Sequence, residues 1–158
     1  MIVFDPIQRR MTGHAALILF VAMCAGIGLL VSAVGGIELI PGNIVALDVP
    51  GNTAGWVRAH IGGILNALLL FVIALIVPGL EFSRPAANLI GKIMTGTAWA
   101  NTLFYWAALF APNRALTFGS NRFGNANLAS WLGLAPALLF TVVSMITVAA
   151  IARQAFKK

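Results

Sequence analysis

Four long apolar runs, separated by short polar interruptions, limit what this chain can fold into more than any other feature. A helix rises 1.5 Å per residue, so about 20 apolar residues cross the ~30 Å hydrocarbon core of a bilayer. The spacing predicts spans over about 14–36, 55–77, 87–110 and 128–152. Composition points the same way, since 60% of the 158 residues are hydrophobic and 9% are charged, whereas soluble chains carry about 25% charged residues. The expected fold is an all-α integral membrane protein: four transmembrane helices in one bundle, a single domain over residues 1–158. The first run exceeds the roughly 7–15 residues of a signal-peptide core, so it reads as a retained span. The net charge of +6 does not indicate a nucleic-acid partner, because the basic residues sit at the ends of the runs and form no patch. Cys24 is the one cysteine, so there is no intrachain disulfide, and it reads as a packing residue.

The interruptions set the topology. Pro41-Gly42 and Pro50-Gly51 break residues 37–54 into an ordered loop with short extended pieces on the membrane surface. Pro78-Gly79 closes the second run, Pro112-Asn113 closes the third, and Pro136 predicts a kink in the fourth. Four spans put both termini and the 79–86 turn on one side. That side carries Arg9, Arg10, Arg84, Lys92, Arg153, Lys157 and Lys158, against Arg58, Arg114 and Arg122 on the other. The excess of basic residues places both termini in the cytoplasm. Small residues inside the runs, among them Gly26, Gly28, Gly62 and Gly63, are expected to let helix backbones approach closely.

Polar side chains at membrane depth cost free energy and mark function. His60 and Asn66 lie in the second run. An imidazole in a dry site suits zinc, copper or haem iron, and it equally suits a hydrogen bond to a neighbouring helix; both readings stand. His14 begins the first run at the opposite face, so a bis-histidine haem is disfavoured. Iron here would have one histidine and an open sixth position, the arrangement of chemistry or ligand binding. A protein-only zinc site lacks ligands, with one cysteine and four acidic residues, none of them near His60. In the third run Thr97, Asn101 and Tyr105 share one helix face at i, i+4 and i+8. Thr97 reads as part of an interhelical seam. Tyr105, flanked by Phe104, Trp106 and Phe110, suits a ligand with an aryl body and one small polar end. His60 and Asn66 are ~9 Å apart along the helix and about 120° around it, so they do not face one another. In a ring of identical protomers, His60 of one chain would meet Asn66 and Tyr105 of the next.

The segments GHAALILF, GGIELIPG, VPGNTAGWVRAHIGGILN, WANTLFYW and PNRALTFGSNRFG, in this order from His14 to about Pro136, resemble the styrene oxide isomerases of bacterial styrene degradation. The resemblance implies a multi-pass enzyme of the bacterial inner (cytoplasmic) membrane. It also implies a homotrimer with ferric haem b between subunits, converting aryl epoxides to aldehydes with the iron as Lewis acid. It carries the haem-ligating histidine onto His60 and the epoxide-positioning asparagine and tyrosine onto Asn66 and Tyr105. The partners it implies are a small apolar aryl epoxide and membrane lipid. Family members have an Asp-Gly pair where this chain has Thr97-Ala98, so no role passes from that acid to this sequence. Readings from other classes are a non-catalytic haem- or quinone-binding membrane subunit and a small transporter.

Overall fold

The computed structural model describes residues 4–157. Helix α1 spans Pro6–Val34, starting well before the predicted span at residue 14. The Asp5 carboxylate accepts from the Ile7 and Gln8 N–H groups while the Gln8 side chain accepts from the Asp5 N–H, a capping box that carries the helix out through Arg9 and Arg10. The helix ends at Gly35, whose φ of 77° is left-handed and comes cheaply only to glycine. The extended pieces expected beyond it pair with each other. Strands β1 (Gly36–Ile40) and β2 (Asn43–Ala46) form an antiparallel hairpin with Gly36 opposite Ala46, turning at Pro41-Gly42.

Helix α2 spans Thr53–Ile76, with the Asn52 side chain accepting from the Gly55 N–H, and runs into a 3₁₀ turn over Val77–Leu80 at Pro78. Helix α3 spans Arg84–Phe110 with Pro85 in its first turn. Helix α4 spans Leu128–Ala155, is capped reciprocally by Asn127 and Ser130, and runs unbroken through Pro136. The loop between α3 and α4 is knotted around Asn113, which is fully buried. Its Nδ2 donates to the carbonyls of Thr117 (2.8 Å) and Gly119 (3.0 Å), and its Oδ1 accepts from the Ala115 N–H (3.0 Å) and the Ser130 hydroxyl (2.6 Å).

Packing runs α1 on α2, α2 on α3 and α3 on α4, with α1 also touching α3. The main core lies among the first three helices, around Met11, Ile18, Leu70, Ile73, Met94 and Ala98. Helix α4 leans on α3 and on the 3₁₀ turn, leaving Leu138, Leu139, Val142, Met145 and Ile146 exposed. Gln8 Nε2 donates to the Ala74 carbonyl and Gln154 Nε2 to the Leu80 carbonyl. These bonds gather the start of α1, the end of α2 and the end of α4 at one end of the molecule.

Helix α1, the segment Thr53–Leu80 and helix α4 are each long and apolar enough to cross a membrane. Helix α3 is not in that set, which departs from the expectation of four apolar spans. The reason is its content of Arg84, Asn88, Lys92, Thr95, Thr97 and Asn101. It is also the helix that touches all three others. Polar side chains in an apolar surrounding need partners, and the least apolar helix occupies the position that supplies them.

Candidate functional site

The half-buried His60 ring packs onto α1, with its Nδ1 2.9 Å from the carbonyl oxygen of Ala22. A carbonyl only accepts, so Nδ1 carries the hydrogen, and in the neutral ring the lone pair lies on Nε2. A ring nitrogen donating to a backbone carbonyl is how metal-ligating histidines are commonly fixed. Of the two sequence readings, the hydrogen bond to a neighbouring helix is the one seen here, and it leaves Nε2 outside that bond. Gly26, one turn along α1 from Ala22, leaves room for the ring. A Cβ there would stand 2.9 Å from both His60 Cε1 and Nδ1.

The opposite flank of α2 meets α3 in two rungs. Tyr105 lays its ring over Gly62, where any Cβ would collide with it. One turn deeper, Asn101 Nδ2 reaches Asn66 Oδ1 at 3.5 Å, a long contact. Asn66 is only 7% exposed and its own amide nitrogen is buried without a hydrogen-bond partner. Such orphaned donors are rare in native interiors and need a reason. The Phe104 ring, 5.6 Å from that of Tyr105, adds apolar surface beside them. Asn66, Asn101 and Tyr105 thus come together, while His60 stays on the far flank of the same helix, as the 120° offset requires.

The remaining candidates fall outside this seam. Thr97 donates to the Ile93 carbonyl at 2.9 Å and reaches the Phe140 carbonyl of α4 at 3.5 Å, the interhelical seam expected of it. His14 Nδ1 accepts from Trp99 Nε1 at 3.2 Å. It precedes Ala22 by eight residues on α1, or ~12 Å of rise, so the two imidazoles lie far apart. Cys24 is a free thiol.

The sequence profile of the styrene oxide isomerase family matches residues 7–156. The chain belongs to this family. A styrene-oxide isomerase from Pseudomonas fluorescens is 44% identical over 150 residues, covering 95% of this chain and 89% of the relative. The matched range takes in helix α3 along with the other three helices. Membership in a family of isomerases sets aside the transporter and the non-catalytic subunit.

The sequence reading missed the Ala22 carbonyl and the partners of several residues it had named. The Ala22 carbonyl carries no side-chain signal and lies 38 residues from His60. Gly26, Gly28 and Gly62 were expected to serve backbone approach, yet they receive the rings of His60, Trp56 and Tyr105; of the four glycines named for that role, Gly63 meets a small residue, Ala22, directly. Trp106 stands edge-on to Trp56, with ring centroids 5.6 Å apart, and its indole nitrogen is a second buried donor without a partner. The glycines could have been read from the aromatic residues set against them on neighbouring helices, had the pairing of helices been known.

Proposed function

We propose that the chain is a membrane-embedded isomerase converting styrene oxide-type aryl epoxides to aryl acetaldehydes, with a haem b carried on His60. The observation that carries the substrate pocket is the Asn66 amide, whose buried donor has no partner in the seam that also holds Tyr105. Leaving a donor unpaired costs about 1–3 kcal/mol, and an epoxide oxygen is an acceptor that would relieve it. The Tyr105 hydroxyl is the second donor, on a ring that Gly62 holds against α2.

These two groups would orient the ether oxygen and stabilise it as it gains negative charge. The benzylic C–O bond opens first because the aryl ring delocalises the positive charge. A hydride then moves from the neighbouring carbon to the benzylic one, which gives the aldehyde with no net redox change and no water consumed. Apolar walls around Tyr105 keep water away from the electron-poor carbon, where it would yield a diol.

The haem, when bound, would supply Lewis-acid polarisation of the epoxide oxygen. The donor set suits it. Among the described residues no three of His, Cys, Asp and Glu gather to hold a bare metal ion, whereas a porphyrin brings four nitrogens and needs one fixed imidazole. His60 with Nδ1 tied to Ala22 supports that role. Placement of His60 and of the Asn66–Tyr105 seam on opposite flanks of α2 supports a site shared between protomers of a homotrimer. In this reading α3 is the fourth span, both termini are cytoplasmic and the membrane is the bacterial inner membrane.

The test is turnover of styrene oxide to phenylacetaldehyde by the purified protein, with haem quantified in the same sample. Product together with bound haem supports the reading. Product formed by protein devoid of haem keeps the isomerase and removes the cofactor, and no product at full haem loading removes the substrate class.

A further inference from the structure

The end of the molecule that carries the hairpin gathers positive charge that the Asn66–Tyr105 seam does not use. A cavity of about 360 Å³ opens there between the start of α2 and the end of α3, lined by Gly51, Asn52, Arg58, Leu109, Arg114 and Phe123 among others. No acidic side chain lines it. Arg114 lies over the Phe123 ring at 4.0 Å from its centroid, and Arg122 lies at 4.7 Å from the same ring. Two guanidinium groups are thus held at one aromatic platform, with Arg58 across the cavity.

The loop is built to keep them there. Arg114 and Ala115 have φ values of 59° and 54°, in the left-handed region that non-glycine residues rarely enter. Backbone strain of this kind persists only where surrounding structure enforces it. The Asn113 knot does so, with Asn121 Nδ2 adding a bond to the Asn113 carbonyl at 3.0 Å. Across the cavity, Asn52 caps α2 and Gly55 lies in its first turn, where the helix dipole adds positive potential. Like charges brought together without a counter-ion repel, and an oxyanion reverses that through charge-assisted, forked hydrogen bonds.

We propose that this cavity is an oxyanion site for the phosphate or carboxylate head of an amphiphile. Position supports an amphiphile over a free ion. The cavity lies at one end of the α2–α3 seam, and on α2 the residues Arg58, Gly62 and Asn66 follow one another at single-turn spacing. An anionic head at Arg58 and Arg114 therefore leaves its apolar body along the seam that Tyr105 and Asn66 occupy. Two sources share this chemistry: the phosphodiester of an anionic phospholipid, and the carboxylates of a haem, the latter resting on the proposed cofactor.

The experiment compares the parental protein with Arg58→Gln, Arg114→Gln, the double variant and a charge control, Lys157→Gln. Each is offered phosphatidylglycerol against diacylglycerol, read by native mass spectrometry, and haem against haem dimethyl ester, read by absorbance titration. Parental protein and the Lys157 control should prefer at least one anionic probe to its uncharged counterpart by roughly 10- to 100-fold, the range of charged hydrogen bonds. The double variant should lose that preference while still binding the uncharged probe. The pair that shows the effect identifies the source. No preference in either pair, or a preference that survives both substitutions, overturns the site. Failure to take up either haem or its ester counts against the cofactor reading, and the lipid pair then decides the anion site alone.

Discussion

His60 ends in one hydrogen bond that decides what its ring can do. With Nδ1 donating to Ala22, Nε2 is the only nitrogen left to ligate. His60→Ala is expected to abolish haem retention, and His14→Ala, whose Nδ1 is already bonded to Trp99, to leave it intact. Soret absorbance of the purified variants measures both, and full haem on the His60 variant would reassign the ligand. Gly26→Ala should fold and yet hold less haem, since its methyl would crowd the imidazole at 2.9 Å. In the seam, Tyr105→Phe and Asn66→Ala should keep a normal Soret band and lose at least about 3- to 10-fold in turnover each, the equivalent of one hydrogen bond of roughly 0.5–1.5 kcal/mol. Parental rates in both would dissolve the pocket assignment. At this scale the sequence told much. The six-residue step from His60 to Asn66 already placed them on different flanks, and the 101–105 step placed Asn101 with Tyr105. The Ala22 carbonyl and the notch at Gly26 were hidden, because a main-chain acceptor on another helix leaves no mark in residue type.

Among the elements, the helices announced themselves by apolar length and their ends by chemistry. The Asp5-Pro6-Ile7-Gln8 start of α1 was missed, because hydropathy ends a span where charge begins while a capping box extends the helix beyond it. The hairpin was visible as extended pieces, and its pairing was not, since Leu39, Ile40, Ile44 and Val45 are exposed on both strands and mark no buried face. Residue types in the α3–α4 loop do not mark its order, which depends on Asn113, a single buried amide. Asn113→Ala should cost about 2–3 kcal/mol, because the Ala115 N–H and the Thr117 and Gly119 carbonyls lose their partner inside the knot. Thermal denaturation in detergent checks this, and an unchanged midpoint would show that the knot is not what orders the loop.

For the whole molecule, placing the least apolar helix in contact with the other three reconciles three strongly apolar helices with a four-helix fold. Sequence could count apolar runs and could not rank them by enclosure, which depends on which helices touch. A site shared between neighbouring protomers, as proposed, joins the two flanks of α2, so cross-linking in native membranes should capture a trimer. Reduction of the iron should suppress turnover and reoxidation restore it, because ferrous iron is the weaker Lewis acid; equal anaerobic rates in the two states would take iron out of the chemistry. The central claim, that haem on His60 makes this family member an epoxide isomerase, is tested most directly by turnover of styrene oxide as a function of haem occupancy. One preparation is depleted of haem and refilled in steps. Activity should rise in proportion to occupancy and be negligible in the depleted protein. Full activity after haem removal would contradict it.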